Sequence, residues 1–311
     1  MESSAVKEIE IDLSPYIRLY KDGTVDRLAG NEILPASLLS ESGASSKDVT
    51  ISRESGISAR LYLPSSAGRG QKLPTLVYFH GGAFIIESPF SPLYHPYTES
   101  VSANSKALVV SIDYHRPPEH PLPAAYEDAW AALLWVVSRV DPWLGDYADL
   151  SRIFVGGDSA GANIAHHVAL RAGTEGSEEL KKLRGLILMH PYFWSSGLSE
   201  EERERGKTVG QMWKFACPDS EGVDDLWINP MAKGSEGLRN LGCEKVLICV
   251  AGKDFLKGRG VAYGEALRRS GWEGAVEVAE DEGEDHVFHL FNPERQKSKV
   301  MMERVSSFLE D

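Results

Sequence analysis

The stretch Gly157-Asp158-Ser159-Ala160-Gly161 lies between an apolar run, Ile153-Phe154-Val155, and a helical pattern from Ala162 to Ala172. It reads as strand, sharp turn and helix, with a serine at the apex. A turn this tight presses its neighbours against backbone and into strained dihedrals, which glycine tolerates because it has no Cβ. The serine hydroxyl then stands clear of the strand end, and the next amide, that of Ala160, faces any oxygen bound there. Alone the pentapeptide is a weak signal, since glycine-rich turns are common. Its surroundings give it weight.

Upstream, Asp48 to Leu63 alternates weakly, with Ile57, Ala59, Leu61 and Leu63 on one face, and reads as one strand. Leu76-Val77-Tyr78-Phe79 is a buried strand that runs into His80-Gly81-Gly82-Ala83-Phe84. Ala107–Ile112 is a further strand. Asp113 to Pro123 contains four prolines and reads as a rigid loop. Ala124 to Val140 has Trp130, Leu133, Leu134 and Val137 at helical spacing, and Gly173 reads as the C-cap of the helix after the serine.

Downstream, Gly185–Met189 and Lys245–Val250 are short apolar strands, Leu256–Arg269 a helix, Val276–Ala279 a last strand and Pro293–Leu309 a closing helix. Such alternation predicts an α/β fold, a mostly parallel sheet with helices on both faces. Catalytic groups on such sheets sit at the carboxyl ends of the strands.

Two regions break the rhythm. Residues 1–50 are polar, yet Leu13, Tyr16, Ile17, Leu19 and Tyr20 need burial, and Tyr16–Tyr20 suits a short strand or a helix. Residues 192–242 hold Trp194, Met212, Trp213, Phe215, Trp227 and Met231 beside the charge run Glu200–Arg205. The run reads as a solvated helix face or loop. The aromatics read as core or as the wall of a cavity, and the favoured reading makes both regions a cap over one domain spanning 1–311.

A serine hydroxyl attacks well only when a base takes its proton, and that base is usually a histidine oriented by a carboxylate. Asp254 follows the strand Val246–Val250 directly, where it suits either the carboxylate or a helix N-cap. Beyond the last strand, Glu280 to His289 offers two histidines; His286 is the expected base and His289 a structural residue. Glu282, Glu284 and Asp285 either favour the charged imidazole or form a solvated run. The oxyanion donors expected are the amides of Gly81, Gly82 and Ala160. His80 reads either as touching substrate or, the favoured reading, as bracing the loop through its ring nitrogens; Asp158, His166 and His167 are read as structural.

Bulk composition excludes other classes. The net charge of −13 repels phosphate backbones and anionic lipid, so nucleic acid and membrane are not expected partners. Three cysteines, Cys217, Cys243 and Cys249, imply neither a disulfide framework nor a zinc site. His95, His115, His120 and His190 show no metal-ligand spacing, and no Gly-x-Gly-x-x-Gly phosphate loop occurs. No metal and no cofactor are expected. Met1–Ser14 does not read as a signal peptide and no long apolar run appears, so a cytoplasmic protein is expected, as a monomer or a homodimer.

Taken together, these motifs resemble those of plant carboxylesterases in the hormone-sensitive-lipase-like group of α/β-hydrolases. The resemblance rests on His80–Phe84, Pro118–Asp128, Gly157–Asn163, Asp254 and His286, with Tyr16–Gly23 and Trp227–Pro230 beside them. It implies an α/β-hydrolase fold, a cap from the N-terminal arm and an insertion, and cofactor-free hydrolysis of short-chain or aromatic carboxylic esters.

Relatives in that group also dehydrate 2-hydroxyisoflavanones, close alkaloid rings, or bind gibberellin without cleaving it. The receptors lack the histidine that this chain keeps as His286. The cyclases commonly depart from the glycine loop or elbow, both intact here. The dehydratases are the nearest alternative, and Phe215–Asp219 looks like theirs. Two departures stand out: Tyr114-His115-Arg116-Pro117 replaces the usual Tyr-Arg-Leu-Ala, and Leu256-Lys257-Gly258-Arg259 lacks the second acid usual after Asp254.

Overall fold

The structure is a computed structural model that describes residues 7–38, 43–177, 180, 183–197, 199–232 and 236–311. Parts of the two regions read as a cap, 1–6, 39–42, 198 and 233–235, lie outside them.

The chain opens with three short strands, β1 (Ile9–Leu13), β2 (Ile17–Tyr20) and β3 (Val25–Arg27), paired antiparallel in a small sheet of their own. Within Tyr16–Tyr20, Ile17–Tyr20 is therefore strand, not helix, with Tyr16 in the turn before it, and Ile17 is the buried anchor. The span read as one strand from Asp48 to Leu63 is a hairpin, β4 (Ala44–Thr50) and β5 (Ser58–Pro64). Arg53-Glu54-Ser55-Gly56 breaks it: Gly56 takes a left-handed φ of 82° and the Ile51 amide closes on the Ile57 carbonyl at 2.9 Å.

Next come β6 (Leu73–Phe79), α1 (Tyr94–Ser105), β7 (Leu108–Asp113), α2 (Ala124–Ser138) and α3 (Pro142–Tyr147). Helix α1 has no counterpart in the sequence reading. Its buried face includes Thr98, Ser102 and Ser105, so the apolar period is masked. Thr98 and Ser102 turn their hydroxyls onto the carbonyls of Tyr94 and Ala107, both at 2.8 Å.

β8 (Ala148–Asp158) and α4 (Ala160–Glu175) carry the serine turn, followed by β9 (Gly185–Met189), α5 (Glu200–Arg205) and α6 (Lys207–Ala216). The charge run is thus a helix, started by a capping box between Ser199 and Glu202. The chain ends with β10 (Lys245–Ala251), α7 (Lys257–Arg269), β11 (Ala275–Asp281), α8 (Phe288–Phe291) and α9 (Gln296–Glu310). Pro293 precedes α9, whose N-cap is Arg295, rather than opening it.

The main sheet has eight strands in the order β11-β10-β9-β8-β6-β7-β5-β4. Only β4–β5 and β5–β7 pair antiparallel. Alternate strand residues face opposite layers. Val77, Phe79, Val155 and Leu188 join α2, α4 and α7 on one face. Leu76, Tyr78, Phe154 and Ile187 join α1 and α9 on the other. The chain passes from β6 to β7 and then returns to the far side of β6 as β8. This reversal puts a crevice at the carboxyl ends of β6 and β8, where open α/β sheets bind ligands.

Gly173 does not cap α4; the helix runs on to a cap at Gly176. Its role is close approach, because a Cβ there would collide with the Asn240 carbonyl oxygen. Gly173→Ala is expected to lower stability by about 1–3 kcal/mol, read as an earlier denaturant midpoint with catalysis by the folded protein unchanged.

Candidate active site

Ser159 follows β8 at the turn into α4, buried, with a left-handed φ of 52°. A non-glycine residue there is strained, and the conformation persists only where its surroundings hold it. Here the Ser159 amide donates to the Met189 carbonyl at 2.9 Å, and its own carbonyl accepts from Tyr192 at 3.0 Å and Asn163 at 3.2 Å. Gly157 and Gly161 are required: a Cβ on either would strike the Phe79 carbonyl oxygen at the end of β6.

Parallel pairing sets Ala251 beside Asp281, so the loops after β10 and β11 leave the sheet together. The Lys253 amide donates to the Glu284 carbonyl at 2.8 Å and ties them. Asp254 ends the first loop. Its Oδ1 accepts from the Leu256 amide at 2.9 Å, while Oδ2 lies 2.7 Å from His286 Nδ1. The N-cap reading of Asp254 is not met, because α7 starts at Lys257 with Leu256 at its N-cap and no side-chain cap, and Oδ1 closes a local turn instead. Oδ2 is the oxygen that faces His286. His286 Nε2 lies 3.0 Å from Ser159 Oγ. The structure therefore brings Ser159, His286 and Asp254 into one hydrogen-bonded line.

His289 is not part of it. It is buried against Tyr97 and His190, with ring centroids 4.9 and 5.5 Å away. The acids near His286 are turned elsewhere: Asp285 Oδ1 accepts from the His286 amide at 2.8 Å, and Glu284 pairs with Arg295.

Gly81, Gly82 and Ala160 part company. Ala160 opens α4, so its amide is among the first-turn donors that have no partner within the helix. The Gly82 amide donates to no group among the described residues. The expectation for Gly81 is not met: its N–H donates to Tyr94 Oη at 2.8 Å and is spent there. The amide of Ala83, next along the loop, is free among the described residues.

Tyr94 Oη in turn donates to Asp158 Oδ2 at 2.8 Å, and Tyr78 Oη to Asp158 Oδ1 at 2.6 Å. Burial pushes the Asp158 carboxyl up to about 6 against the pull of these two hydroxyls. Asp158 is thus a brace between β6, α1 and the serine turn. His80 also braces the loop, with Nδ1 2.8 Å from the Gly81 carbonyl and its ring stacked on Tyr114 at 4.3 Å.

His190, just past the end of β9, figures in the sequence reading only as a histidine without metal-ligand spacing, and its positioning role is missed there. Its Nδ1 accepts from the Val287 amide at 3.0 Å and so anchors the residue after His286. His190, Asp254 and His286 are also the one group of three among the described residues with ligating atoms within 4.8 Å of one another. Nδ1 of His190 and of His286 are already committed as described.

A family model for the alpha/beta hydrolase fold matches residues 76–290. The chain belongs to this family. Among curated proteins, this α/β-hydrolase is 45% identical to "Probable carboxylesterase 2" of Arabidopsis thaliana, over 99% of this chain and 98% of that one. It is 47% identical to the 2-hydroxyisoflavanone dehydratase of Glycyrrhiza echinata, over 97% of each. Among solved structures, a thermostable esterase from Pseudomonas putida superposes with a TM-score of 0.75 at 26% identity, covering 88% of this α/β-hydrolase and 84% of the other chain.

Two predictions arise from the brace and the buried rings. Tyr94→Phe strands the Gly81 amide and one Asp158 oxygen, and is expected to cost about 1–3 kcal/mol of stability per stranded group; unchanged melting would refute the brace.

Burial lowers His80 and His289 to about 3, and His166 and His190 well below their ordinary value. Below about 6.5 the unfolded chain takes up protons on these rings that the folded protein refuses, so stability falls as pH falls. Asp158 opposes this between about 6 and its ordinary range, where the folded protein holds the extra proton. Burial also lowers His167 to about 4 and lowers His95, while it raises the Glu87 and Asp113 carboxyls as well as that of Asp158. Six rings outweigh three carboxyls. The melting temperature is expected to drop from pH 7 to pH 5, and a rise would contradict the assignment.

Proposed function

We infer that this protein is a serine carboxylesterase acting on short-chain or aromatic carboxylic esters through an acyl-enzyme. The observation that carries the reading is the line from Ser159 Oγ to His286 Nε2 at 3.0 Å and from His286 Nδ1 to Asp254 Oδ2 at 2.7 Å. Ser159 Oγ bonds to the acyl carbon while His286 takes its proton. Asp254 orients the ring and stabilises the imidazolium. The carbonyl oxygen becomes an oxyanion, held by the amides of Gly82, Ala83 and Ala160. Each such donor contributes roughly 3 kcal/mol to the transition state. The C–O bond to the alcohol breaks, and His286 protonates the leaving oxygen. Water, deprotonated by His286, then cleaves the acyl-enzyme to the free acid.

The cap in this reading comes from about 1–50 and 192–242 of a single domain spanning 1–311. It is supported by an apolar cluster of Ile17, Ile85, Ile86 and Met212, joined by Leu13, Val25, Ala83 and Phe215, which packs the arm and α6 onto the glycine loop. No helix among the described residues is long and apolar enough to cross a membrane. The three free, buried cysteines suit a reducing compartment, and the cytoplasm is the compartment assigned.

The dehydratase relative supports a second reading, in which His286 acts as a base at carbon and no covalent step occurs. Hydrolysis of p-nitrophenyl butyrate by the wild type is expected, falling by about 10⁴-fold or more in Ser159→Ala and by about 10⁴-fold in Asp254→Asn. A well-folded wild type without ester turnover would sink the esterase reading. Dehydration of a 2-hydroxyisoflavanone that survives Ser159→Ala but not His286→Ala would install the second.

A further inference from the structure

The loop that offers the Gly82 and Ala83 amides is strained. Ala83, Phe84 and Glu87 have φ of 53°, 67° and 71°, in the left-handed region that non-glycine residues avoid. Such a run persists only where its surroundings over-determine it. Part of the restraint is internal, since the Ile85 and Ile86 amides both turn back to the Gly82 carbonyl, at 2.9 and 3.0 Å. Phe84 is buried against Tyr126, Tyr192 and Trp213.

Arg116 Nη1 donates to the Glu87 carbonyl at the far end of the run, and the middle of the loop is held by Arg27, at the end of β3 in the N-terminal sheet. Its Nε donates to the Ile85 carbonyl at 2.9 Å, Nη2 to the Pro117 carbonyl at 2.7 Å, and Nη1 and Nη2 grip Glu119 at 2.7 and 2.5 Å. One planar guanidinium thus joins three segments: the arm, the strained loop and the proline-rich loop. The paired fork fixes direction as well as charge. Hydrogen bonding to Arg27 holds the Glu119 carboxyl below its ordinary range. Beside it, Gly30 lies so close to Glu87 that a Cβ would collide with the Glu87 amide nitrogen.

We propose that Arg27 is a positioning residue for the oxyanion loop, and that the Arg27–Glu119 pair is the latch that couples the N-terminal arm to catalysis. The proposal rests on the esterase reading. It makes the arm more than a cover: release of the latch lets the Ile85 carbonyl move, and the Gly82 and Ala83 amides lose their aim at a charge that develops only in the transition state. An effect on kcat rather than KM follows, because uniform binding is left alone.

The test is steady-state hydrolysis of p-nitrophenyl butyrate, with kcat counted per Ser159 that reacts to completion with an organophosphate, so that misfolded protein drops out. Arg27→Ala is expected to lower kcat tenfold or more with KM within threefold. Arg27→Lys, which keeps charge without the fork, is expected to fall between it and wild type. Arg27→Ala with Glu119→Ala is expected to be no worse than Arg27→Ala alone. A kcat within twofold of wild type in Arg27→Ala would overturn the proposal, whatever the melting temperature did, and so would a change confined to KM. Should Arg27→Ala not fold, Glu119→Gln decides: a threefold or larger loss of kcat supports the latch and an unchanged kcat removes it. Failure of the esterase reading is separate, because it would silence the wild type in the same assay.

Discussion

The close approach of two backbones at the end of β6 governs this site. The Phe79 carbonyl oxygen occupies the space in which a side chain on Gly157 or Gly161 would begin. Only because both are glycine can the serine turn sit against the end of β6. That contact sets Ser159 beside the glycine loop that leaves the same strand. Every later element of the proposed chemistry assumes it: a nucleophile and an oxyanion site on neighbouring strands, at the point where the sheet order reverses.

Around this contact, the supporting shell is buried, polar and mostly neutral. Asp158 takes hydroxyl hydrogens from Tyr78 and Tyr94, and Tyr94 accepts the Gly81 amide. His80 and His190 brace the loops on either side as uncharged rings. The part made by Asp158, Tyr78, Tyr94 and the Gly81 amide fixes one arrangement, because breaking any member strands another in a place water does not reach, while Nε2 of His80 and of His190 has no partner among the described residues. The N-terminal arm adds a further restraint through Arg27, so the sheet, α1 and the arm all converge on the loop that leaves β6.

Much of this was legible in the sequence, for a local reason. Ser159, Asp254 and His286 each follow a short apolar strand, and the turn glycines and the strand-end aspartate carry their signal within a few residues. What stayed hidden depends on distant partners. Gly81 and Ala83 lie two positions apart, and which of them has a free amide is decided by Tyr94, from a helix whose serine and threonine face conceals its period. Arg27 finds its partners 58, 90 and 92 positions along the chain. The hairpin read as one strand, and the Gly173 read as a cap, are cases where local pattern was overruled by a turn and by a packing contact.

The central claim is that Ser159 becomes covalently acylated. Rapid quench of the wild type during turnover of p-nitrophenyl butyrate, followed by peptide mass spectrometry, tests it most directly. A butyryl group on the peptide containing Ser159, appearing with an initial burst of p-nitrophenol and leaving with its decay, is the predicted result. Turnover with no acylated peptide at any time, or with the acyl group on another residue, would contradict the account.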